Sequence, residues 1–225
     1  MPARDQPLGL TVHDIPSPTG ALAQDARRTR VGRWKMLALA LVCAAPVIAS
    51  YFSYYVVRPE GRSVFGTLID AQPPLPQAAA TDLNGQPFDL NSLKGQWLLV
   101  SVGGGACDAH CERNLYLQRQ LREALGKDKD RLDWVWLVSD STRVPDSLRP
   151  ALGRATVVRV PADTLGQWLA PEPGHTLGEH LYVVDPEGRW MMRFPPALDD
   201  AGAGRARRDL TRLMRASASW DQAGR

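Results

Sequence analysis

Cysteine is scarce in this chain, three in 225 residues, and histidine is little commoner, with four. Surplus charge is also missing: 27 basic side chains offset 24 acidic ones, a net +3, and aromatics make up 7%. The basic residues concentrate beside an apolar run and near the C-terminus. A nucleic-acid binder needs a basic, aromatic-rich working surface, so this composition argues against one. Charge is absent altogether from Met36 to Val57, 22 residues. At 1.5 Å per residue, a helix of that length reaches about 33 Å, enough to cross a bilayer core. No small-x-small cleavage site follows it, and the basic run before it lies far from the N-terminus. Both absences argue for a retained anchor over a cleaved signal peptide.

Arg27, Arg28, Arg30, Arg33 and Lys35 precede the apolar run, whereas only Arg58 and Arg62 follow closely, with Glu60 between them. Tyr51, Tyr54 and Tyr55 cluster at its far end, as an interfacial belt does. Pro46 kinks a span without excluding it. The positive-inside rule therefore predicts a single pass with the large C-terminal part outside the cytoplasm, and the membrane is expected to be a bacterial-type inner membrane. Residues 1–35 are expected in the cytoplasm as a largely irregular tail, with His13 solvated in it. Residues 36–57 are the span, and 58–80 a Pro- and Ala-rich tether reaching at most roughly 75–80 Å. Residues 81–220 are the periplasmic domain, of ordinary size. Cys43 falls inside the span and reads as a small apolar residue.

Asn84-Gly85 marks a tight turn. Trp97–Val102 reads as a buried strand ending in glycines, with a possible strand earlier, near Val64–Ile69. Leu117, Leu121, Ala124 and Leu125 recur at helical spacing, which predicts a helix closed by Gly126. A strand over 131–140 follows, then a loop over 142–152 leading into a short helix, a strand over 155–160 and one or two helical turns. Residues 180–194 form a hairpin about Asp185-Pro-Glu-Gly188. Ala206, Leu210, Leu213 and Met214 give a last helix its apolar face, and five arginines (205, 207, 208, 212 and 215) occupy the rest as a solvated face. This order implies a mixed sheet with helices on both faces.

Two cysteines stand together as Cys107-Asp-Ala-His-Cys111, after a strand and before a helix. Residues four apart share a helix face, so both thiols are expected on the first turn. There the helix N-terminus favours a thiolate. Outside the cytoplasm such a pair forms a disulfide or is kept reduced for use. A redox pair, a metal clamp and two buried thiols all remain open on these residues.

The run "LNGQPFDLNSLKGQWLLVSVG", the C-x-x-x-C, then "WVWLVSDS" and "LYVVDPEGRW" resemble the Sco/SenC family over about residues 75–216. Ordinary thioredoxins and TlpA-type reductases use C-x-x-C instead. The resemblance implies an α/β, thioredoxin-like mixed sheet flanked by helices, tethered by one transmembrane helix. It implies Cu(I) or Cu(II) on Cys107 and Cys111, completed by a histidine. It also implies partners among cytochrome c oxidase subunits or their assembly factors. The family's proline after the first cysteine is replaced by Asp108, and its histidine ligand falls near Leu177 by spacing. His175 lies two residues before that point and His180 three after, so one of them would have to be shifted into place. His110 is a further candidate, equally a solvent-facing residue of the first turn.

Two alternatives stand beside the copper reading. One is a TlpA-like thiol–disulfide oxidoreductase, with Cys107 as exposed attacker and Cys111 resolving the mixed disulfide. The other is a non-catalytic adaptor that keeps the fold alone. The topology is open to a direct check. A reporter fused after Arg225 that works only outside the cytoplasm should be active; activity of a cytoplasm-only reporter there would reverse the assignment.

Overall fold

Every residue from Trp97 to Val102 is buried in the computed structural model, which describes residues 18–57 and 64–219. A strand covered on both faces reads as a nearly continuous apolar run, and "WLLVSV" is one. The expected tail up to residue 17, tether residues 58–63 and Trp220 lie outside the described residues. The chain divides into two units, Met1–Arg62 and Ser63–Arg225.

The first unit carries helix α1, Pro18–Phe52, followed by a π-helical turn, Ser53–Val57. Within it Arg30–Tyr55, 26 residues, is long and apolar enough to cross a membrane. Pro46 sits inside the helix without ending it. The basic run before the span, expected in an irregular tail, is helical too, as its alanines and arginines favour.

The second unit is an eight-stranded sheet with three helices. In chain order its elements are β1 (Thr67–Leu68), β2 (Ala80–Asp82), β3 (Pro87–Phe88), β4 (Trp97–Gly103), α2 (Ala109–Glu123), β5 (Leu132–Val138), β6 (Thr156–Arg159), α3 (Ala162–Trp168), β7 (Leu181–Val184), β8 (Trp190–Arg193) and α4 (Asp200–Ala216). The strand order is β1-β8-β7-β4-β5-β6-β2-β3. β4–β5 and β5–β6 are parallel and the remaining pairs antiparallel.

Alternation in β4 sorts the core. Leu98, Val100 and Val102 face a cluster with Leu165 and Trp168 of α3. Trp97 and Leu99 face Leu117 and Leu121 of α2 and Ala206, Leu210 and Met214 of α4. The predicted two-sided mixed sheet is therefore present.

Several local expectations differ. The stretch read as tether is tied to the sheet: β1, within the strand expected near Val64–Ile69, pairs with β8, and Pro74 bridges Arg189. No helix follows residues 142–152. Successive turns run there instead, closed by bonds such as Leu148 N–H to the Pro145 carbonyl, where Pro145 and Pro150 withhold donors. β5 stops at Val138, two residues before Asp140, because that aspartate turns aside to bind another loop. Gly126, at φ +61°, does end the helical backbone as expected, and a short 3₁₀ turn over Gly126–Arg131 follows.

One buried polar side chain fastens α2 to the sheet. Gln118 donates to the Leu99 carbonyl at 2.6 Å and the Val135 carbonyl at 2.9 Å, and accepts from Ser101 Oγ at 2.9 Å. Gln118→Leu keeps the bulk but strands Ser101 and the two carbonyls, so it should cost about 1–3 kcal/mol. Denaturant unfolding of the full chain in detergent measures this; an unchanged midpoint would contradict the anchoring role.

Candidate functional site

The end of β4 sets the site. Gly103 is followed by Gly104 and Gly105, and a Cβ on Gly105 would lie 2.0 Å from the Thr142 carbonyl oxygen. Only glycine fits that approach. Asp140 closes the loop from the neighbouring strand: its Oδ1 accepts from Gly105 N–H at 2.8 Å and Thr142 N–H at 3.0 Å. Those bonds, Gly105 first, hold its carboxyl below the usual range. Arg159 steadies the same corner, donating to the carbonyls of Asp140 at 2.7 Å and Thr142 at 2.9 Å.

The chain then turns through Cys107 at φ +52°, the left-handed region. Asp108 caps α2, its Oδ1 accepting from Cys111 N–H at 2.9 Å. The cysteines are therefore not both on the first helical turn, as the spacing suggested. Cys107 lies before the cap and Cys111 after it. They form a disulfide with Cα atoms 5.1 Å apart. The Asp108 carboxylate also stands in the positive field of the helix terminus and offsets part of it.

Cys107 and Cys111 are 7% and 4% exposed, packed among Leu115, Trp134, Trp136 and Val144. The expectation of an exposed Cys107 is thus corrected. The glycine loop folds down over Asp140 and Thr142 and tucks Cys107 inward. The Trp136 indole nitrogen is buried without a hydrogen-bond partner. It and Cys111 Sγ each lie 3.3 Å from where a Gly103 Cβ would stand.

A cleft of about 390 Å³ opens beside the pair, lined by Cys111, Asp108, His110, Ser139 and the turn Thr176–Glu179. Asn114 of α2 holds that turn, donating to the Gly178 carbonyl at 2.8 Å, and the Tyr182 hydroxyl donates to the Leu177 carbonyl at 3.1 Å. Leu177 itself lines the cleft. His110 is exposed at its rim.

His175 is exposed, and its Nδ1 lies 2.7 Å from Glu179 Oε2. Glu179 Oε1 accepts from Thr176 N–H at 2.9 Å and Oγ1 at 2.8 Å, completing a capping box. His175 first, then Thr176, holds the Glu179 carboxyl down at about 2. His180 differs. It is fully buried, its Nδ1 donating to the Phe194 carbonyl at 3.0 Å while Nε2 accepts from Glu172 N–H at 3.2 Å. Burial pushes its pKa down, so the ring is neutral with both nitrogens engaged.

The structure thus brings Cys107 and Cys111 together, with His110 on the same cleft, and puts His175 on the adjoining loop. Among the described residues no three His, Cys, Asp or Glu side chains form a metal-holding group. Sequence reasoning missed Asp140, Asn114 and Glu179. The T-x-x-E spacing of Thr176 and Glu179 was the one readable signal; the other two act across long separations.

The family described as "transmembrane-like, thioredoxin-like, C-terminal domain" matches residues 97–217. A Stutzerimonas stutzeri protein bearing a provisional copper-binding name is 30% identical over 122 residues, 53% of this chain and 57% of that one. The chain thus matches little more than half the length of that relative. Yeast Sco1 with copper bound superposes at TM-score 0.50 and 15% identity, over 66% of this chain and 98% of that one. A SCO1/SenC family lipoprotein of Bacillus anthracis gives TM-score 0.49 at 17% identity, over 66% and 96%. At such identities the likeness is one of fold.

His180 makes the folded state sensitive to acid. Its folded pKa lies below the ordinary 6.5, so the unfolded chain binds a proton that the folded ring refuses. Stability is therefore full above about pH 6.5 and falls as the pH drops below it. Melting of the full chain between about pH 7.5 and 5 should show this decline, and His180→Gln should flatten it. Equal pH slopes in the two proteins would refute the assignment.

Proposed function

The chain belongs to the transmembrane-like, thioredoxin-like C-terminal domain family, and we propose that it is a membrane-tethered, Sco-like thiol protein that carries copper in cytochrome c oxidase assembly. In this reading residues 1–35 are cytoplasmic, 36–57 span an inner membrane and the sheet domain is periplasmic. The observation that carries it is the Cys107–Cys111 pair, close enough for a disulfide, beside a cleft bordered by the histidine loop.

The pair has two states. A dithiol reductant supplies two electrons and two protons, becomes a disulfide itself, and leaves Cys107 and Cys111 as thiols. Two thiolates then suit Cu(I), a soft ion that accepts few ligands; zinc would take the same donors but prefers four. The ion is cargo, taken up with release of the thiol protons.

His175 is the better third donor. A ligating imidazole characteristically gives its other N–H to a carboxylate, and Glu179 already holds Nδ1. His180 is fully buried, and its Nε2 would first have to give up the Glu172 N–H, a bond worth about 1–3 kcal/mol if left unmet. A second reading, thiol–disulfide exchange without metal, is favoured by the disulfide, with no third ligand assembled beside it among the described residues.

A competition titration of the reduced full chain against a Cu(I) chelator decides between them. Wild type should compete for about one ion, since two thiolates suffice for Cu(I). Cys107→Ser or Cys111→Ser should abolish competition, because a hydroxyl is a hard, protonated and poor ligand. His175→Ala and Glu179→Gln should each weaken it, the latter about tenfold or more. A wild-type protein that never competes yet exchanges disulfides with a model substrate establishes the oxidoreductase, and one that does neither leaves the adaptor.

A further inference from the structure

Helix α4 is divided along its length. Gly202, Ala206, Asp209, Leu210 and Met214 are buried against the sheet. Arg205, Arg207, Arg208, Arg212 and Arg215 are all exposed. At 100° per residue, these five fall within an arc of about 160° opposite the core. Part of that arc borders a groove of about 750 Å³, whose other wall brings Lys127 and Arg131. The acid in its lining is Asp128, 3.4 Å from Arg131.

The chain arriving from the apolar helix lands on this same element. Phe65 N–H and Gly66 N–H donate to Asp209 Oδ2 at 2.7 and 3.0 Å, and the Arg205 guanidinium lies 4.2 Å over the Phe65 ring. From Tyr55, the end of the membrane-length segment, to Phe65 is ten residues, which extend to at most about 35 Å. That length bounds how far Phe65 can stand from the end of the helix and leaves the arginine face within reach of any bilayer the helix enters. Anionic headgroups attract clustered Arg and Lys within a Debye length of the surface.

We propose that the arginine face of α4 docks on the anionic lipid headgroups of the bilayer that the chain's own apolar helix crosses. This rests on reading Arg30–Tyr55 as a membrane anchor. Charge alone would also fit an acidic protein, but the short leash favours the lipid surface. Docking would leave the site uncovered. Ala124 and Leu125, beyond the C-terminal end of α2, line the groove, whereas the disulfide lies at the N-terminal end. The 15 residues of α2 set the two about 22 Å apart along the helix axis, so a surface seated on the groove does not cover the cysteines.

The test is arginine modification by phenylglyoxal, mapped by mass spectrometry. The full chain is placed in nanodiscs of phosphatidylcholine, with or without roughly 30% phosphatidylglycerol as the anionic lipid. Arg207, Arg208, Arg212 and Arg215 should react about three- to tenfold more slowly in the anionic discs. About 1 M NaCl, where the Debye length is about 3 Å, should remove the difference. Arg143, exposed on the loop beside the cysteines, should react equally in both discs. Equal rates for the α4 arginines, in a chain that remains in the discs, would overturn the proposal and leave the anchor standing. Protection by added polyglutamate with no effect of lipid would replace it with an acidic-protein surface. A chain that does not enter discs of either kind removes the anchor and the docking together.

Discussion

Strand β4 has no face left for water. Trp97 and Leu99 press on α2 and α4, and Leu98 and Val100 on the α3 side, so helices are required on both faces. Parallel pairing with β5 over seven residues requires a long crossover between them, and α2 supplies it. The crossover begins where β4 ends, and the cysteines lie at that junction. Their position follows from covering one strand.

Polar groups around the junction are placed by backbone demands. Asp140 satisfies two amides of loops that could not otherwise approach, and Asp108 satisfies the first turn of α2. Asn114 reaches from α2 to the turn that carries Glu179. The glycine loop and the Thr176–Glu179 turn that border the cleft are thus each held by a hydrogen bond from another element. His110 is exposed on that rim, and His175 is exposed on the adjoining loop.

The elements with strong periodicity were legible in the sequence. β4, β5, α2, α4 and the hairpin about Asp185 lie where their apolar patterns put them. Edges showed in outline only: β1 falls within the strand expected near Val64–Ile69 and β2–β3 about the Asn84-Gly85 turn, but with two residues each in β1 and β3 alternation could not fix their bounds. The stretch 142–152 has apolar residues at helix-like spacing, but Pro145 and Pro150 break the ladder that a helix needs. At the site, redox pair, metal clamp and buried thiols stayed open, while the closeness of Cys107 and Cys111 could be read from spacing. The left-handed turn at Cys107 could not, because contacts with Thr142 and Asp140 impose it. His180 likewise looked like a ligand candidate, since its partners Phe194 and Glu172 are recognisable only once the sheet is assembled.

The grip of Asp209 on Phe65 and Gly66 bears on how the domain can be cut free of the apolar helix. That carboxylate is buried, and both amides that satisfy it come from residues before the first long strand. A truncated protein beginning near Thr81, where turn signals first appear in the sequence, would strip the Asp209 carboxylate of both backbone donors and leave it Arg212, 3.9 Å away. It would also bare the edge of β8 that β1 covers and remove Leu75 from the core. A soluble form faithful to the native domain has to begin on the N-terminal side of Val64.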